Sequence, residues 1–159
     1  MRLDRAASLL LFHPMIRILR LGGPSRTSIL MYHSVAADAT PLFRRFAMPP
    51  DSFVAHMGHL AACGYRTLTI SEVAVLLRTG GLLPTRSVAL TFDDGFVDFY
   101  EAVLPVLGKH GFTATIYIPT EYVGVAKEGR LVLGWSQLRE IAERGVECGS
   151  HGHTHRRLD

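Results

Sequence analysis

Three polar clusters interrupt apolar stretches of the chain: Tyr32-His33-Ser34, Asp93-Asp94-Gly95 and His151-Gly152-His153-Thr154-His155. Each closes a run suited to a buried strand, namely Ile29-Leu30-Met31, Val88-Ala89-Leu90-Thr91-Phe92 and Val146-Glu147-Cys148. Histidine with carboxylate is a donor set for a divalent transition metal. Imidazole suits zinc, cobalt, nickel or iron, and a catalytic centre needs about three protein ligands with one position left for water. If one of two adjacent carboxylates binds the ion, the other is free for proton transfer, and the cation relieves their mutual repulsion. His151 and His155 share a face if a helical turn starts there. In an extended chain His151, His153 and His155 share one instead. The sequence leaves both geometries open. Taken singly, each cluster also has a plain reading: a turn or helix cap for Asp93-Asp94-Gly95, a solvated loop for the histidines, and a packed aromatic with a hydrogen-bonded imidazole for Tyr32-His33. It is their joint position at strand ends that points to one site.

The elements needed to hold these residues follow from periodicity and punctuation. Strands are expected at Ile29–Tyr32, Thr67–Ile70, Ser87–Phe92, Ala114–Ile118 and from Val146 to the histidines. Helices are expected after Asp51 as cap (Phe53, Met57, Leu60), after Ser71-Glu72 (Val73, Leu76, Leu77), over Phe96–Leu107, and from Gln137 to Arg144 with Ser136 as cap. Pro105 should interrupt the third helix, and Gly64, Gly80-Gly81, Gly111 and Gly145 should end their helices. Residues 36–50 and 120–134 read as loops. Strands alternating with helices over short connections predict an α/β fold with a parallel sheet. In such folds functional groups gather where the strands end. All three clusters should therefore open on one rim.

The chain has 159 residues, 48% hydrophobic and 19% charged, which suits a globular domain with a real core. Its net charge of +3 comes from scattered basic residues without a stripe, so nucleic acid is not expected as a partner. Cys63 and Cys148 lack metal-site spacing and read as buried small hydrophobes. Near the N-terminus, Ala6–Phe12 is short for a signal-peptide core, and neither it nor Met15–Leu21 reaches the roughly 20 residues of a membrane span. Residues 6–21 suit a helix that lies on a membrane surface or packs on its own domain. Compartment, envelope or cytoplasm, and oligomeric state stay open.

Thr91-Phe92-Asp93-Asp94-Gly95 resembles the first signature motif of the polysaccharide deacetylase (NodB-homology) family, and Ser150-His151-Gly152-His153-Thr154-His155 resembles the second. Leu30-Met31-Tyr32-His33-Ser34, Pro105, Gly111-Phe112-Thr113-Ala114-Thr115 and Trp135-Ser136-Gln137-Leu138 are similar to members acting on envelope or exopolysaccharide amino sugars. The similarity runs from Ile29 to the last residue, dividing the chain into an extension, 1–28, and a deacetylase domain, 29–159. The resemblance implies a partial (β/α) barrel and metal-dependent hydrolysis of N- or O-acetyl groups on a carbohydrate polymer. It implies Asp94, His151 and His155 as metal ligands, zinc being the expected ion, and Asp93 as general base. His153 falls at a variable position, and Gly152 stands where Ser or Thr is frequent. In the family a histidine in a later motif protonates the leaving amine. That motif and the intervening arginine and aspartate motifs are not found before Asp159, so the domain is expected to be incomplete. The competing expectations are a degenerate, non-catalytic carbohydrate-binding fragment and another metal-dependent amidohydrolase using His151-x-His153.

Overall fold

The computed structural model describes residues 26–37 and 43–156. The helix expected over residues 6–21 lies outside them. In chain order the described elements are β1 (Ser28–Tyr32), β2 (Ser34–Val35), β3 (Ala47–Met48), α1 (Pro50–Ala62), β4 (Arg66–Leu68), α2 (Ile70–Arg78), β5 (Ser87–Phe92), a π-helical turn (Phe99–Val103) running into α3 (Leu104–His110), β6 (Thr115–Ile118), a 3-10 turn (Thr120–Tyr122), β7 (Ala126–Lys127), β8 (Arg130–Leu131), α4 (Trp135–Glu143) and β9 (Glu147–Ser150). Among the described residues no helix is long and apolar enough to cross a membrane.

β5 is the hub of the sheet, buried along its whole length. β1 pairs with it from Ser28 opposite Val88 to Tyr32 opposite Phe92. β4 pairs with Ser87–Ala89 and β6 with Thr91–Phe92, so these two share the other edge. β9 lies beyond β6. Every pairing in this five-stranded sheet is parallel, as the alternation of strands and helices predicts. Where β4 and β6 splay apart, side chains take over the ladder. Thr113 N–H donates to Thr67 Oγ1 at 2.7 Å and Ile70 N–H to Thr115 Oγ1 at 2.9 Å.

Alternate residues of β5 face opposite sides. Val88, Leu90 and Phe92 join the main core with Phe53 and Met57 of α1, Leu104 and Leu107 of α3, and Leu138 and Ile141 of α4. Ala89 faces a smaller cluster with Leu68, Val73 and Leu83. Aromatic rings tie the layers together: Phe53 meets Tyr32 and Phe92 edge-on, with centroids 5.5 and 5.9 Å away.

Several boundaries differ from expectation for identifiable reasons. α1 starts at Pro50, whose missing N–H costs nothing in the first turn, so Asp51 lies inside the helix rather than capping it. The cap of α2 is Thr69, not Ser71. Its hydroxyl accepts from Glu72 N–H at 3.2 Å while Glu72 accepts from Thr69 N–H at 2.7 Å. α4 starts at Trp135, and Gln137 Oε1 accepts from Gly134 N–H at 3.0 Å in place of a Ser136 cap. Pro105 does interrupt its helix: the chain completes a π turn and restarts as α3 with the proline in its first turn. The expected loop 36–50 contains β3, paired with β2, and 120–134 contains the β7–β8 hairpin. The cysteines are free but not buried: Cys63 is half-buried and Cys148, on the edge strand β9, is exposed.

Candidate active site

Because the strands are parallel, the ends of β1, β5, β6 and β9 meet at one rim. Backbone bonds carry the ladder one residue further, to Asp93 N–H on Tyr32 O (2.9 Å) and His151 N–H on Ile118 O (2.8 Å). All three polar clusters lie there.

At Asp94 the backbone turns left-handed (φ 72°), followed by Gly95 at φ 65°. Aspartate tolerates this region better than most residues, and Gly95 is required: a Cβ there would lie 2.9 Å from Ile118 Cγ1. Reversing direction over two residues buries the Asp94 carboxylate, at 7% side-chain exposure, while Asp93 stays on the floor of the rim at 14%. The two adjacent carboxylates thus have different surroundings. Asp94 Oδ1 lies 3.1 Å from His155 Nε2 and 2.7 Å from Lys127 Nζ. Asp93 Oδ2 lies 3.9 Å from His33 Nε2.

The segment after β9 is neither helical nor extended, so neither geometry posed by the sequence applies. Gly152 (φ 75°) and His155 (φ 56°) bend it into a loop that brings the His151 and His155 rings together, tilted, with centroids 4.7 Å apart. Thr120 and Glu121 N–H donate to Gly152 O and His153 O, both at 3.1 Å, which fastens the loop to the 3-10 turn. His153 pairs through Nδ1 with Thr120 Oγ1 at 2.9 Å and is not among the clustered donors. Gly149 makes room for this arrangement, since a Cβ there would be 2.8 Å from the Tyr117 ring, which itself lies 6.4 Å from His151.

One donor atom each from Asp94, His151 and His155 lie within 4.8 Å of one another. A carboxylate oxygen and two imidazole nitrogens are the composition of a mononuclear zinc-type site with an open position. Burial, aided by Lys127 and His151, lowers His155 from its ordinary value, against the opposing pull of Asp94 and Glu128. The neutral ring is the form that binds a metal. The residues therefore fit a divalent ion.

Two neighbours of the site were not legible in the sequence, because both lie in the stretch that reads as a loop. The two-residue turn of the β7–β8 hairpin, Glu128-Gly129 with φ 51° and 80°, suits a type I′ connection. It aims Lys127 at Asp94 and Arg130 at Asp98, 2.6 Å from Oδ2. Ser34 Oγ donates to the same Asp98 oxygen at 2.5 Å. Burial pushes the Asp98 carboxyl up, and Ser34 and Arg130 only partly offset it. This group joins β2, the turn after β5 and the hairpin beneath the rim. The Glu-Gly pair between a lysine and an arginine is the signal that would have suggested a hairpin.

With this geometry in view, residues 81–159 match the family model described as polysaccharide deacetylase. The protein designated polysaccharide deacetylase YxkH of Bacillus subtilis (strain 168) is 34% identical over 136 residues, 86% of this chain and 46% of that one. The poly-β-1,6-N-acetyl-D-glucosamine N-deacetylase of Escherichia coli (strain K12) is 32% identical over 100 residues, 55% of this chain and 15% of that one. Among solved structures, Streptococcus pyogenes deacetylase PplD in complex with acetate aligns with a TM-score of 0.72 at 28% identity, over 84% of this chain and 59% of that one. The chain thus spans less than half the length of these two curated relatives.

Proposed function

From its membership of the polysaccharide deacetylase family, we propose that this chain hydrolyses acetyl groups from an N-acetylated amino-sugar polymer, with Asp94, His151 and His155 holding a divalent ion, zinc in first place. The observation that carries the reading is the convergence of those three side chains, from two strand ends 57 residues apart in sequence (151 minus 94), on one cluster beside a second, separately placed carboxylate. The relatives that act on poly-β-1,6-N-acetylglucosamine and the acetate held by PplD support the substrate class. A zinc-type ion bound there would supply Lewis-acid polarisation of the acetyl carbonyl.

The remaining work falls to side chains. Asp93, less buried than Asp94 and not engaged with Lys127, accepts the proton of the attacking water. The new C–O bond gives a tetrahedral carbon, and its collapse breaks the C–N bond. The nitrogen has to receive a proton as that bond breaks, since an amine anion does not leave. His33, at the end of β1 and 3.9 Å from Asp93, is the group placed to deliver it. A cleft of about 540 Å³ opens beside His33 and is lined by the partly exposed Phe46, whose ring lies under the Arg45 guanidinium.

The test is acetate release from a soluble N-acetylglucosamine oligomer by the zinc-loaded chain, against Asp93→Asn as the blank. Acetate above that blank supports the reading. Oligomer binding without acetate release would replace it with a non-catalytic carbohydrate-binding module.

A further inference from the structure

We propose that Lys127 is a resident counter-cation of Asp94 that competes with the metal ion, so that the ion enters only as the ammonium leaves. The inference rests on the metal-site reading above.

Lysine is almost never buried unless it is paired. Lys127 is only 4% exposed, and among the described residues its ion pair is with Asp94. The oxygen it holds, Oδ1, is also the one 3.1 Å from His155. One oxygen of the carboxylate that belongs to the donor cluster is therefore already engaged by a positive charge. An ion held by Asp94, His151 and His155 would sit close to Nζ, within a space whose donors all lie less than 4.8 Å apart. Like charges repel strongly where little water intervenes.

The residue type and its position allow an exchange. A lysine ammonium rides on a flexible four-carbon stem, unlike the rigid fork of arginine. Lys127 immediately precedes the exposed hairpin turn Glu128-Gly129, so solvent is within reach of the side chain once it withdraws. Without an ion, the same lysine neutralises a carboxylate that the left-handed turn has already buried. Lys127 is thus a positioning residue. It neutralises the buried Asp94 carboxylate and sets how tightly an ion is held.

The experiment titrates Co(II) into the metal-free 159-residue chain by calorimetry and by the visible absorption band of the ion. Lys127→Met removes the charge, and Lys127→Gln keeps a hydrogen-bond donor for Asp94 in case the methionine variant folds poorly. Both are expected to bind Co(II) at least ~10-fold more tightly than the unaltered chain, as removal of a repulsive buried charge requires. Equal or weaker binding by folded Lys127 variants, with Co(II) still bound by the unaltered chain, overturns the inference alone. Absence of Co(II) binding in all forms overturns the metal-site reading and this inference together.

Discussion

Asp93 and Asp94 are chemically identical neighbours whose surroundings are separated by one backbone angle. The positive φ at Asp94 turns its carboxylate inward to Lys127 and His155, whereas Asp93 remains on the strand line beside His33. Distinct losses should follow. Asp93→Asn and His33→Gln should each lower acetate release by about 10²-fold or more, the usual contribution of a positioned acid or base, while bound zinc measured by mass spectrometry stays unchanged. Asp94→Ala should lose the ion and also unfold more easily. It removes the carboxylate that pairs with the buried Lys127 ammonium, read as a lower urea midpoint of the chain without metal.

At the scale of elements, Glu147 on β9 ties the sheet to the start of α2. Its Oε2 accepts from Ser71 N–H at 3.1 Å and from Thr115 Oγ1 at 2.8 Å, and its Oε1 accepts from Ser71 Oγ. A carboxylate at a helix N-terminus also opposes the helix dipole. Burial pushes this carboxyl up, but the hydrogen bonds from Ser71, Thr115 and Thr69 together hold it below its ordinary value of 4.5. The unfolded chain therefore binds the proton first. The stabilisation is present above the unfolded value and is lost as pH falls through the lower folded one. Glu147→Gln should cost about 1 kcal/mol near neutrality, comparable to loss of a helix cap. It should also remove part of the acid-dependent fall, seen by comparing urea midpoints at about pH 7 and about pH 3. None of this tie was visible in sequence, since Ser71, Thr115 and Glu147 are far apart along the chain and lie in three different elements. By contrast, the helices themselves were legible from their apolar spacing. Their first residues were not, because Pro50, Thr69 and Gly134 start helices in ways that competing nearby residues, Asp51, Ser71 and Ser136, equally suggest.

At the scale of the molecule, one aromatic-rich core underlies the rim. Phe92, the last residue of β5 before the two aspartates, stacks on Tyr32 and meets Phe53 and Phe99 edge-on. The floor of the site is thus fixed by packing from α1 and from the π turn. Phe53 is fully buried. Phe53→Ala should cost about 3–5 kcal/mol, a large share of the 5–15 kcal/mol typical of a domain. Equilibrium urea unfolding followed by circular dichroism checks this, and the variant's Co(II) affinity should fall with the loss of a rigid floor.

By itself the amino-acid sequence determined the alternation of strands and helices and the placement of three polar clusters at strand ends. Those properties are local: they follow from apolar periodicity, from glycine and proline, and from which residue types can be buried. The parallel sheet and its single functional rim follow from that alternation. Only the tertiary structure decided how β4 and β6 divide one edge of β5, and how the loop from His151 to His155 closes by left-handed residues. It also decided that Lys127 from a short hairpin faces Asp94 and that His33 from the first strand faces Asp93. These are encounters between residues distant in the chain, chosen by the packing of whole layers, and no local pattern encodes them.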